Sequence, residues 1–129
     1  MRQMNDKTFL NELIDNFPEI RDELSDEDFK DLIYLQIGCF KRFTQSAIDK
    51  EKLDVVKKCF QFIENRLDSL DQKVENAVYI SYLSKLEIKK NSKTEKLLSK
   101  KMKSIIFEFE KYEKSNSKNE KLNDFLKNI

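Results

Sequence analysis

Apolar residues recur three and four positions apart along most of this chain, the spacing that gives an α-helix one buried face. Leu10, Leu13, Ile14 and Phe17 mark a first helix over about residues 7–17. Pro18 ends it and suits the first position of a further helical segment over 18–24, because a proline nitrogen there has no hydrogen bond to lose. Ser25 reads as the N-cap of a third helix. Asp26, Glu27 and Asp28 fill its first turn, where carboxylates offset the positive end of the helix dipole. That helix runs to about Ile48 with Phe29, Leu32, Ile33, Ile37, Phe40, Phe43 and Ala47 inward. A fourth helix, about 51–68, buries Val56, Cys59, Phe60, Ile63 and Leu67. Ser69 and Gln72 stand at capping-box spacing before a fifth, which runs to about Leu86. Its inward residues are Val74, Ala77, Val78, Tyr82 and Leu83, and Tyr79 and Ile80 add apolar surface on other sides, which predicts a central position. Ser92 and Glu95 repeat the box and open a helix to about Tyr112, with Leu98, Met102, Ile105, Ile106 and Phe109 inward. The polar stretch 113–120 reads as a linker, and 121–129 as a short C-terminal helix.

These periods predict an all-α protein, a compact bundle of six to seven helices forming one domain over residues 1–129. Composition agrees. The chain has one glycine, Gly38, and one proline, Pro18, so hairpins and phosphate loops that need several glycines are excluded. With 39% hydrophobic residues, ten of them Phe, it is too apolar to stay disordered despite being 38% charged. A chain of this length buries roughly two-thirds of its unfolded surface, enough for a core without metal or disulfide staples. Gly38 falls inside the third helix, where it costs about 1 kcal/mol relative to Ala, and a close helix crossing is the expected reason.

The same absences bear on chemistry. With no His, no Ser–His or Cys–His pair can form, and with one Gly neither nucleotide-binding loop motif can be written. Cys39 and Cys59 lie among Phe and Ile neighbours and are expected as buried, reduced thiols. Asp26, Glu27 and Asp28 lack the alternating ligands and Gly turn of a calcium loop. The expectation is a protein that is not an enzyme, with no cofactor and no metal site. The first ten residues lack an apolar run, and no stretch of eighteen apolar residues occurs, so a cytoplasmic protein with no membrane span is expected.

What remains is surface charge, which is unevenly spread. The formal net charge is +1. Yet residues 1–30 hold nine acids against four bases (−5), and residues 85–103 hold eight lysines against two acids (+6). Seven carboxylates (Glu19, Asp22, Glu23, Asp26, Glu27, Asp28 and Asp31) fall within thirteen residues. Such a cluster accelerates association with a basic protein and can occupy a groove built for phosphates. Asp22, Glu23, Asp26, Glu27 and Asp28, with Tyr34, are the candidate contacts. Lys89, Lys90, Lys93, Lys96 and Lys100 are the alternative, a basic face for phosphates. That cluster contains no Arg for base reading and sits on a near-neutral chain, so nucleic acid is the less favoured partner.

Residues 74–86, VENAVYISYLSKL, add a resemblance. An Asn, an apolar step and Ser-aromatic-Leu-x-x-Leu on a central helix, after a helix pair over about 26–68, is similar to small all-helical bacterial immunity proteins of contact-dependent growth inhibition and related polymorphic toxin systems. The similarity covers roughly residues 20–90. Family members often carry Glu where this chain has Ser84. The resemblance implies a cytoplasmic protein without cofactor that binds and neutralises the C-terminal domain of a cognate toxin, many of which are nucleases. A helical adaptor or regulatory protein is the alternative, and a lysine-stripe nucleic-acid binder a further one.

Overall fold

Asn5 starts the first helix by accepting a hydrogen bond from the Thr8 amide (2.9 Å), in the computed structural model that describes residues 3–108. Helix α1 (Asp6–Asn16) buries Phe9 and Leu13. Pro18 then occupies the first position of a 3-10 turn (Pro18–Ile20) that leads into α2 (Arg21–Leu24). A second 3-10 turn (Glu27–Phe29) precedes α3 (Ile33–Asp49), followed by α4 (Leu53–Glu64), a third 3-10 turn (Leu67–Ser69) and α5 (Gln72–Val78). After α5 the helix widens into a π-helical turn (Tyr79–Leu83), and α6 (Lys93–Lys96) and α7 (residues 100–108) follow. Seven α-helices, and no strand longer than one parallel bridge between Met4 and Leu70, make the described residues all-α.

The long helix α3 is the axis. It packs against α2, α4, α5 and the π-turn. Its buried side carries Ile33, Gln36, Ile37, Cys39, Phe40, Thr44 and Ala47. Phe17, Phe40 and Phe62 meet at ring-centroid distances of 4.9–5.8 Å, bringing the end of α1, the middle of α3 and α4 onto one aromatic cluster. Tyr82 stacks on Phe40 at 5.0 Å and is wholly buried. Its hydroxyl donates to Thr44 Oγ1 (3.0 Å), and the Thr44 hydroxyl donates to the Phe40 carbonyl (2.9 Å). The expected central helix is therefore central, and its polar group has a partner, as a buried hydroxyl must.

Several boundaries differ from the periodicity. The third helix begins at Ile33, not near Asp26. Asp26, not Ser25, caps locally, by accepting from the Asp28 amide (2.9 Å), and the resulting 3-10 turn ends in extended Lys30 and left-handed Asp31 (φ 60°). Asp side chains that bond nearby amides compete with helix here, and Asp tolerates the left-handed region better than most residues. Leu32, expected inward, is 48% exposed because it precedes the helix and leaves its phase. The cap of α5 is Asp71, which accepts from the Val74 amide (2.9 Å), and not Ser69. The expected helix from Ser92 breaks after Lys96. Ser92 does cap it, accepting from the Glu95 amide (3.1 Å), but Ser99 caps again by accepting from Met102 (3.1 Å), and α7 starts there. Phe109, the linker 113–120 and the helix 121–129 lie outside the described residues.

Candidate protein-docking site

The five acids selected from the sequence all face solvent. Asp22 and Glu23 stand on α2, Asp26 caps the following 3-10 turn, and Glu27 and Asp28 lie within it. They are not equivalent. The Glu23 carboxylate is held by the Arg42 guanidinium of α3, which keeps its carboxyl below the usual range, and Arg42 also lies 3.3 Å from the Cys39 sulfur. Asp26 is occupied by its cap. Asp22, Glu27 and Asp28 make no side-chain hydrogen bond or ion pair among the described residues. Asp31 and Glu19 are exposed beside them.

Sequence reasoning missed what adjoins these acids. Leu32, Tyr34 and Leu35 are 48, 42 and 47% exposed, at the start of α3, directly after the acidic turn. Tyr34 was among the candidates. Leu35 was detectable, since it falls off the buried stripe, but Leu32 was hidden because it fits that stripe. Exposed aromatic and aliphatic residues gathered beside charge mark an interaction surface, whereas scattered single ones do not.

Gly38 continues the same face, being one helical turn beyond Tyr34 and Leu35. Among the described residues the expected close helix crossing is not found. Among the described residues, a Cβ added to Gly38 would have the Arg42 guanidinium as its nearest neighbour at 3.8 Å, an ordinary contact. Nor is the backbone left-handed at this position. Packing among the described residues does not account for a glycine in mid-helix.

The alternative lysines are also exposed, but they do not share one helix face. Lys89 and Lys90 belong to the segment before α6, Lys93 and Lys96 to α6, and Lys100 opens α7. Nearby Lys101 is paired with Asp68. An open groove of about 1140 Å³ separates the end of α3 from this segment. Its walls mix acid and base, with Asp49, Glu51 and Glu87 against Lys85, Lys89 and Lys93. The Gln45 side chain pins the groove's edge, donating to the Glu87 carbonyl (3.1 Å) and accepting from the Glu87 amide (2.8 Å).

Both cysteines are buried and unpaired, as expected. Desolvation, with the nearby Glu23 charge, pushes the Cys39 thiol up to about 12, and desolvation pushes Cys59 up to about 11. Both therefore stay protonated at neutral pH, and a thiol rather than a thiolate is a poor nucleophile. Among the described residues no group of three or more Cys, Asp or Glu side chains is gathered closely enough to hold a metal ion. No described helix is long and apolar enough to cross a membrane.

Residues 10–114 match the model of a protein family described as Domain of unknown function (DUF7674). The chain belongs to that family. The matched DUF7674 segment includes the acidic turn, the exposed start of α3 and the lysine-rich segment alike, so it favours none of these surfaces. No curated protein and no solved structure matches the chain.

Proposed function

We propose that this protein acts by binding, as an immunity protein that neutralises the C-terminal domain of a cognate bacterial toxin, with a nuclease domain as the preferred target. The observation that carries the reading is the joining of Asp22, Glu27 and Asp28, carboxylates unpaired among the described residues, to the exposed Leu32, Tyr34 and Leu35 on one region of surface. The acids attract a basic substrate groove from a distance, and the apolar residues supply the dehydrated contact that slows dissociation. The motif resemblance of residues 74–86 supports the same reading. A stable complex of this kind buries about 1,200–2,000 Å² in total, more than the acidic turn alone can offer. The start of α3 is therefore included in the site.

Co-expression tests it. The C-terminal domain of a large toxin encoded beside this gene arrests growth, and this protein restores it. Replacing Asp22, Glu27 and Asp28 together by Lys slows association by about tenfold or more and flattens its dependence on salt, as charge steering requires. Rescue and association rate both unchanged by that triple reversal overturn the site. Absence of rescue against every neighbouring toxin domain overturns the toxin reading and returns the protein to the helical-adaptor alternative.

A further inference from the structure

Gly38 in α3 is the feature that packing among the described residues leaves without a purpose. Glycine in a helix interior is destabilising by about 1 kcal/mol relative to alanine. Such a residue is retained where a left-handed backbone or a close approach demands it, and among the described residues neither applies. Its surroundings are specific. Leu35 stands one turn before it and is 47% exposed, Tyr34 stands beside Leu35, and Arg42 lies one turn after it, tied to Glu23 of α2. Leu35, Gly38 and Arg42 share one face of α3, so the position without a side chain is a notch between an apolar residue and an anchored ion pair whose guanidinium borders it.

We infer that this notch seats an apolar side chain of a basic amphipathic helix on the partner, with Gly38 allowing the two backbones to approach closely. The inference rests on the docking reading above and names the partner's contacting element. Helices pack at 8–10 Å between axes according to the side chains at the crossing, and glycine permits the lower end of that range. A helix that docks in this way is read by apolar anchors at i, i+3 or i+4, and i+7, with its remaining positions facing the rim. The rim here is acidic. Asp22, Asp26, Glu27, Asp28 and Asp31 all lie on α2 or on the turn between α2 and α3, so lysines or arginines flanking the anchors are complementary. The same charge repels a nucleic acid or an anionic lipid surface, and sets acid against acid if a second copy of this chain is docked through the same face.

The test uses the ¹⁵N-labelled full chain and a defined probe, a two-heptad helical peptide with Leu at the apolar anchor positions and Lys elsewhere. Its control is the same peptide with Glu replacing every Lys. The Lys peptide shifts amide resonances of Leu32 to Arg42 and the Glu peptide does not. Gly38→Leu weakens Lys-peptide binding by about tenfold or more, since each factor of ten needs only about 1.4 kcal/mol of lost contact. Ile80→Ala and Phe107→Ala, at exposed apolar residues elsewhere, leave it unchanged. If Gly38→Leu loses its helical signal, Leu35→Ala replaces it and weakens binding in the same direction. Shifts centred on Ile80 or Phe107, equal affinity of the Glu peptide, or undiminished binding by these α3 variants overturn the inference. Growth rescue by Gly38→Leu as strong as wild type also overturns it while leaving the toxin reading intact. Peptide binding at the notch without any rescue leaves it standing and removes the toxin.

Discussion

Arg42 reaches across nineteen residues of sequence to the Glu23 carboxylate and so fastens α2 to the exposed middle of α3. Both side chains remain substantially exposed, at 55% and 44%, so the pair contributes little energy, about 0.2–1 kcal/mol. Its importance is positional, since it holds the acidic segment against the helix that carries Tyr34 and Leu35. Glu23→Gln is expected to lower stability at pH 7 by that small amount. The sign with pH follows from the hydrogen bond to Arg42, which lowers the folded carboxyl below its ordinary 4.5. The contribution is complete above the unfolded value and is lost as pH falls through the lower, folded one. Denaturant curves of wild type and Glu23→Gln should therefore differ at neutral pH and converge in acid. A difference that grows on acidification refutes this assignment.

Tyr82 and Thr44 form the chief polar contact inside the aromatic core, and their roles are unequal. Tyr82→Phe removes a donor and leaves Thr44 still donating to the Phe40 carbonyl, an expected cost of about 0.5–1.5 kcal/mol. Thr44→Val strands the wholly buried Tyr82 hydroxyl and costs about 1–3 kcal/mol. The double variant should be less destabilised than the sum, because the stranded hydroxyl is gone. Urea unfolding of the four proteins measures this cycle, and strict additivity would show that the two groups do not act as a pair.

The helical periodicity carried most of the fold, because a buried face must recur at 3.6 residues whatever surrounds it. It placed Phe40, Val56, Cys59, Val74 and Tyr82 inward correctly. It failed where short side-chain hydrogen bonds replace helix. Asp26 and Ser99 each capped locally and moved a helix start, and nothing in the apolar spacing records that competition. The π-turn after Val78 was equally silent, since it keeps Tyr82 and Leu83 buried as an α-helix would. For the candidate site the charges were legible and the geometry was not. Seven neighbouring carboxylates could be read directly, but the capture of Glu23 by Arg42 and the exposure of Leu32 depend on where α3 begins.

Burial also makes the thiols testable. Cys39 and Cys59 are both fully buried, and their thiols are raised to about 12 and 11. At pH 8 both remain protonated and shielded in the native state. A thiol-specific reagent should therefore react only as fast as the protein opens, and both groups should be labelled at once on adding denaturant. Prompt native-state labelling of Cys39 would show that the α2–α3 contact opens locally, without global unfolding.

Glycine is misplaced in this chain as far as stability is concerned. Among the described residues three adopt left-handed backbone, Asp31, Glu51 and Asn91, and none is glycine. Asp and Asn tolerate that region through their short polar side chains, but Glu51 does not share the advantage. It sits just past the end of α3 at φ 55°, where the Lys52 amide bonds the Ala47 carbonyl (2.9 Å) and the Glu51 amide bonds Ile48 (3.0 Å), the pattern that usually recruits Gly. Glu51→Gly is expected to relieve about 1–2 kcal/mol of left-handed strain and return about half of it as backbone entropy. Gly38→Ala should add about 1 kcal/mol, because among the described residues the new methyl meets only the Arg42 guanidinium, at ordinary contact distance. The two positions lie more than three turns apart, in the body and just past the end of one helix, so the gains should add. Together they should raise the melting temperature by several degrees, at about 4 °C per kcal/mol for a chain of this size. Calorimetry of both single variants and the double checks this, and a Gly38→Ala protein that melts lower than wild type would mean that the free chain itself requires a position without a side chain here.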